Sequence, residues 1–235
     1  MESRDALAAE GLTVELIRQL GTVPGLTVLA PMSTLAAGGS QDGALQMGAN
    51  AILDCRLEGT KLQASLSRVE GDRLLSVGRF DNVIQPAVEA LKQFVAAKTG
   101  ARMGRGNVAR AALDLATYQL YLAGRAWFHR WSPDNLVQAQ GCFEEVLARN
   151  SGFAPAWAGL ADIQVLRAYW HAAVPRPVLE QGLVYAQRAA DLDPGCGDSY
   201  CSLAAVTAAL GRDWEKAEML FRLAIESNHS NALAL

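Results

Sequence analysis

The 235-residue chain is poor in aromatic residues, which make up 7% of it, and in charged residues, which make up 19%. Its basic and acidic residues nearly balance, with 21 Lys and Arg against 24 Asp and Glu. This balance argues against a general nucleic-acid binder, whose surface would be strongly basic. Hydrophobic residues still reach 51%, with Leu, Val and Ile plentiful, and this fraction excludes wholesale disorder.

Long hydrophobic runs free of helix breakers are also missing. The longest window without a charged residue, 19–41, contains Pro24, Pro31 and several glycines, which would break a bilayer-spanning helix. The first five residues carry two acids and one base, without the basic-then-apolar order of a secretion signal. We therefore expect no membrane insertion and a cytoplasmic location, or a periplasmic one if an upstream signal or membrane anchor exists.

Cysteines are few and do not form metal-binding motifs. Cys55, Cys142, Cys196 and Cys201 include no CxxC pair, and no His stands at zinc-ligand spacing from them. The sequence predicts free, mostly buried thiols in a reducing compartment, with a Cys196–Cys201 disulfide as the alternative. It predicts no metal site and no cofactor.

Histidines are equally sparse, and recognisable catalytic motifs are lacking. His129, His171 and His229 lie far apart, each near a predicted helix end or turn, and no HExxH or GxSxG pattern appears. We expect these histidines to be surface or capping residues. Asp213 and Glu215 flank Trp214 in a turn between helices, where acids are expected as N-caps. The sequence thus predicts a non-catalytic protein, with no catalytic residues.

What is present in the first hundred residues is an alternation of structural periods. Apolar stripes at helical spacing predict helices over 6–20, 43–47 and 84–97. Strand patterns predict strands over 26–30, 51–57, 62–68 and 74–80, with turns at 58–60 and 70–72. In the third strand Leu62, Ala64, Leu66 and Arg68 are expected to share one face. This order of elements predicts a small α/β layer domain.

A glycine-rich and arginine-rich stretch follows and is expected to be a linker. Three glycines within seven residues cannot hold a helix cheaply. Between Lys98 and Arg130 six basic residues accompany a single acid. A solvated linker is the favoured interpretation, and a contact with anionic nucleic acid or lipid is the alternative.

The rest of the chain is helical, rich in alanine and self-similar. The spacing Ala139-x3-Phe143-x2-Val146 recurs as Gly182-x3-Ala186-x2-Ala189 and as Ala217-x3-Phe221-x2-Ala224. The preceding helices carry Gly124 and Trp127, then Trp157-x2-Leu160-Ala161, then Tyr200-x2-Leu203-Ala204. This is the 34-residue tetratricopeptide pattern, with insertions at 132–134, around 172–177 and near 213–214. Its small residues let helices approach, and its aromatic residues fill the gaps between them.

The second half therefore resembles tetratricopeptide repeat (TPR) arrays. The first half is similar to the amino-terminal domain of the TolB translocation protein. The segments that carry this likeness are Glu10–Leu16, Val23–Ala30, Leu45–Leu53, Gly71–Arg73 and Tyr118–Arg125. The resemblance implies a βαβ-type α/β domain with an antiparallel meander, followed by an all-α TPR solenoid.

The implied organisation has three parts. Residues 1–99 form the TolB-like domain without its first strand, 100–112 form the linker, and 113–235 form about three repeats. The chain stops at Leu235, where a fourth repeat would place its first large residue, and so we expect a fragment or a truncated gene product.

In bacteria such pairings often accompany an output module, either a class III nucleotide cyclase or a winged-helix domain. The resemblance thus implies a non-catalytic protein-interaction and regulatory region of a bacterial signalling or transcription regulator. One alternative is the accessory region of a class III adenylate or guanylate cyclase whose catalytic module is absent here. A second alternative is a free-standing assembly or periplasmic adaptor.

In TPR arrays the first helix of each repeat lines a concave, peptide-binding groove. Counting from Trp157 and Tyr200 places six residues in that groove: Ala158, Asp162, Val165, Cys201, Ala205 and Ala208. These side chains are small, apolar and slightly acidic, which disfavours a bound chaperone carboxylate. The expected partner is a protein or peptide segment, or an upstream output domain, with no direct nucleic-acid binding.

Overall fold

The structure is a computed structural model that describes residues 4–29, 41–58, 61–69, 73–81, 84–100, 113–170, 176–211 and 213–227. It is mostly helical, with one small antiparallel sheet followed by a helical region. Two compact units result. The sheet unit comprises 12–106, and the array unit comprises 107–235 together with the first eleven residues. Helix α1 (Arg4–Gly21) contributes residues to both units.

The sheet unit contains helix α2 (Gln41–Gln46), strands β1 (Ala51–Glu58), β2 (Lys61–Arg68) and β3 (Arg73–Asp81), and helix α3 (Ile84–Thr99). The strands pair antiparallel in the order β1-β2-β3. Helix α3 packs on β2 and β3, where Phe94 meets Phe80 edge to face with ring centroids 6.0 Å apart. The meander and its closing helix are confirmed, and the turn residues 59–60 and 70–72 lie outside the described part.

Two strand predictions are corrected. Leu26–Leu29 form no strand, and the rest of the predicted segment, from Ala30, lies outside the described residues. Short apolar runs without periodicity do not identify a strand by themselves. In β2, Leu62, Ala64 and Leu66 are buried as predicted, but Arg68 is exposed. The β2–β3 register shifts between Leu66 and Ser67, with Leu75 of β3 as the extra residue, whereas the pairing of β2 with β1 stays regular through Arg68.

The array unit consists of six long helices besides the start of α1. They are α4 (Leu115–His129), α5 (Pro133–Arg149), α6 (Ala154–Trp170), α7 (Arg176–Leu192), α8 (Gly197–Gly211) and α9 (Trp214–Ser227). Capping explains several of their starts. Asp114 accepts a hydrogen bond from Thr117 N (3.0 Å), and Ser132 accepts one from Asn135 N (3.2 Å). The predicted capping role of Asp213 is confirmed by its bond from Lys216 N (3.2 Å).

Close packing between these helices depends on small residues. Phe143 in α5 is fully buried between Gly124 of α4 and Gly159 of α6. A Cβ atom at Gly124 or Gly159 would lie 2.7 or 2.6 Å from the Phe143 ring, closer than carbon atoms can approach. Ala139, Ala161, Ala204 and Ala217, predicted as small contact residues, are all buried.

The helices follow one another as a stack. Each helix from α4 to α9 packs against the next, and the alternate helices α4, α6 and α8 also touch in sequence. No helix among the described residues is long and apolar enough to span a bilayer.

Candidate protein-binding groove

The candidate groove is the face formed by α4, α6 and α8, the first helices of the three helix pairs. Of its six predicted residues, Ala158, Val165 and Cys201 are buried, so neighbouring helices cover most of their surface. The other three, Asp162, Ala205 and Ala208, are half-buried. The structure therefore leaves these three as the part of the predicted groove that solvent reaches.

Asp162 links α6 to α8 through a serine that the sequence did not single out. Ser202 Oγ lies 2.5 Å from Asp162 Oδ1 and 3.0 Å from the main-chain oxygen of Asp198. A hydroxyl carries one proton and can donate only once. When Ser202 donates to the Asp198 carbonyl, a protonated Asp162 can donate to Ser202 Oγ, and both bonds then form together.

The electrostatics favour the same protonation state. Burial raises the pKa of Asp162 to about 7, and the Asp198 charge adds to this rise. The bond with Ser202 and the positive charge of Arg125 act in the opposite direction but are smaller effects. Burial, with Asp162 and Asp198 nearby, also raises the pKa of the Cys201 thiol, which is therefore protonated and poorly nucleophilic.

Arg125 and His129 of α4 extend this polar face, although the sequence analysis assigned no groove role to either. Arg125 Nη2 lies 3.4 Å from His129 Nε2, and its guanidinium carbon is 5.9 Å from the Phe128 ring centroid. Its Nε is buried and has no hydrogen-bond partner among the described residues. Arg125 follows Gly124 as Asp162 follows Ala161. This equivalent repeat position is the signal from which the sequence could have placed Arg125 beside the groove.

His129 is the last residue of α4, at the helix end that the sequence predicts, and it is half-buried. Burial, together with the Arg125 charge, lowers the pKa of His129 to about 3. The imidazole is therefore neutral at ordinary pH and can accept a hydrogen bond from Arg125. His171 and His229 lie outside the described residues.

The other predicted chemical features can be located as follows. No disulfide joins any two of the four cysteines, so the alternative Cys196–Cys201 bridge is not formed. Burial raises the pKa of Cys55 to about 12.

Across the described ranges no three His, Cys, Asp or Glu side chains cluster as metal ligands would. Of the basic stretch between Lys98 and Arg130, the residues 101–112 lie outside the described part.

The polarity of the groove thus changes from α4 to α8. Its α4 end carries a cation beside a neutral imidazole, its middle carries the Asp162 carboxyl group, and its α8 end carries small apolar residues. Such a surface can offer hydrogen bonds to a polypeptide. No family model matches the chain, and no curated protein matches it.

Proposed function

We propose that the array unit is a tetratricopeptide-type scaffold that binds a protein or peptide segment through the groove of α4, α6 and α8. The observation that carries this proposal is the contact pattern of the stack. Consecutive helices pack in pairs, and the first helices of the pairs also touch one another, so they present one continuous face. A face built in this way suits an extended or helical polypeptide.

The regulatory role is part of the same proposal. We place the chain in a non-catalytic region of a bacterial signalling or transcription regulator, with the sheet unit as a TolB-like α/β module. The antiparallel meander closed by α3 supports that assignment of the sheet unit. Four cysteines without a disulfide are compatible with the reducing cytoplasm that we propose as its location.

The groove can be tested with a matched pair of arginine substitutions. Ala205→Arg introduces a large cation into the half-buried groove face of α8, whereas Val184→Arg changes a residue that is 62% exposed on the second helix α7. The wild-type chain and both variants would be immobilised and incubated with lysate of the source bacterium, and the retained proteins quantified by mass spectrometry.

We expect specific proteins to be retained by the wild type and by Val184→Arg and to be lost with Ala205→Arg. Far-ultraviolet circular dichroism of each variant confirms that its helices remain folded. If folded Ala205→Arg retains the same proteins as the wild type, the groove is not the binding surface and the proposal fails.

A further inference from the structure

The start of α1 packs on an outer face of α4 within the array unit. Leu7 is buried in one cluster with Ala123 and Ala126 of α4. Trp127 and Cys142 pack against that cluster from its edges. Residues of α1 therefore cover an apolar face of the first array helix.

The two helix backbones approach each other most closely at Gly11. A Cβ atom built on Gly11 would lie 1.9 Å from the carbonyl oxygen of Leu122, which is a main-chain atom. A flexible side chain could rotate away from such a contact, but a helical carbonyl cannot. Only glycine, which has no Cβ, fits this crossing without displacing one of the helices.

An ion pair between Arg130 and Glu10 stabilises the same contact beside its apolar part. Arg130 donates from Nη2 to Glu10 Oε2 (2.6 Å) and from Nε to Glu10 Oε1 (3.2 Å). The Arg130 guanidinium also stacks 4.8 Å from the Trp127 ring centroid. A bidentate arginine–carboxylate pair fixes orientation as well as distance, and the aromatic ring holds the guanidinium in place.

We infer that residues 4–11 are the amino-terminal cap of the helical array, docked on a recognition surface of α4. A stack of helix pairs leaves a face of its first helix without a neighbour, and such arrays need a capping element there. The recognition surface on α4 consists of four residues: Ala123, Ala126, Trp127 and Arg130. It fits a helix with the pattern Leu-x-x-Glu-Gly, and this chain supplies that pattern as Leu7, Glu10 and Gly11. The inference that residues 4–11 are a cap does not depend on the groove of α4, α6 and α8 binding anything.

Two glycine substitutions separate capping from an incidental contact. Gly11 and Gly141 both lie inside helices, but a Cβ on Gly141 would meet nothing within 4 Å. Gly141→Ala therefore gains helix propensity alone, and we expect its Tm to rise by about 2–4 °C. Gly11→Ala gains the same propensity but disrupts the docking. We expect it to lower the Tm and to speed amide exchange in α4 at least about tenfold, relative to α8.

A charge reversal keeps the inference falsifiable if Gly11→Ala does not fold. Glu10→Arg and Arg130→Glu should each speed amide exchange in α4, and the double variant should restore slow exchange because it re-forms the pair in the opposite direction. If Gly11→Ala is as stable as Gly141→Ala, or if neither single reversal changes exchange in α4, residues 4–11 are not a cap and the inference is overturned.

Discussion

Replacing Asp162 by Asn should stabilise the protein by an amount that grows as the pH rises. The pKa of Asp162 is raised from 3.8 to about 7 in the folded chain. The folded state therefore keeps a proton that the unfolded state has already released. Below about pH 4 the Asp162 carboxyl group is neutral in the folded and the unfolded state, and its burial costs no stability. As the pH rises from about 4 through 7, the free energy of unfolding falls. Asn is neutral at every pH, and its amide can donate to Ser202 Oγ as the protonated acid does.

The size of this effect follows from the pKa difference. About three pKa units at roughly 1.4 kcal/mol each give an upper value of about 4 kcal/mol. Because the Asp162 residue is only half-buried, solvent screening reduces the penalty, and we expect about 2 kcal/mol at pH 8. At pH 4 the variant and the wild type should differ by no more than about 0.5 kcal/mol.

Urea unfolding followed by circular dichroism at pH 4, 5, 6, 7 and 8 measures the difference directly. Asp191→Asn is the matched control, since Asp191 is an exposed aspartate on α7. Its effect on the free energy of unfolding should change little over the same range. A stability gap between Asp162→Asn and the wild type that is constant with pH would refute the buried, protonated carboxyl group. So would a variant that is less stable than the wild type at pH 8.

Three further predictions concern the packing and the capping of the array. Phe143→Ala empties a fully buried site between two glycines and should lower the free energy of unfolding in urea by about 3–5 kcal/mol. Val137→Ala, at an exposed position of the same helix, is the control and should lower it by less than about 1 kcal/mol. His129→Gln should lose less stability than the wild type when the pH falls from about 6.5 towards 3. In the wild type the imidazole takes up a proton in the unfolded state but not in the folded state, and this difference favours unfolding. An equal loss of stability in both proteins would contradict this. Ser132→Ala removes the cap of α5 and should cost about 1 kcal/mol by thermal unfolding, while Ser132→Asp should retain most of that stability.

Local patterns in the sequence were sufficient for most elements of secondary structure. The alternation in β2 predicted which side chains are buried, because side chains of a strand point to opposite faces in turn. Small residues recurring at repeat spacing predicted where the array helices meet, since only such residues allow close approach. Asp213 was predicted as a cap because a short acidic side chain before a helix can accept a bond from a free backbone N–H.

The errors arose where distant parts of the chain determine the outcome. Alternation within β2 gives the face of Arg68 but not what covers that end of the strand, and this residue is exposed. Leu26–Leu29 have the composition of a strand but form none, because a short apolar run without alternation does not by itself distinguish a strand from other buried segments. His129 lies at a helix end as predicted, but the low pKa of its ring comes from burial and from the Arg125 charge, which its position at a helix end does not indicate.

The sequence by itself determined most of the helices and the three-stranded meander, because these depend on local periodicity and capping. Only the tertiary structure decided the protonation of Asp162, the neutrality of His129 and the need for glycine at position 11. Asp162 lies against Ser202, 40 residues further along the chain, and Gly11 lies against Leu122. Desolvation and steric exclusion act over a few ångströms, and the distances along the chain do not reveal which atoms come that close.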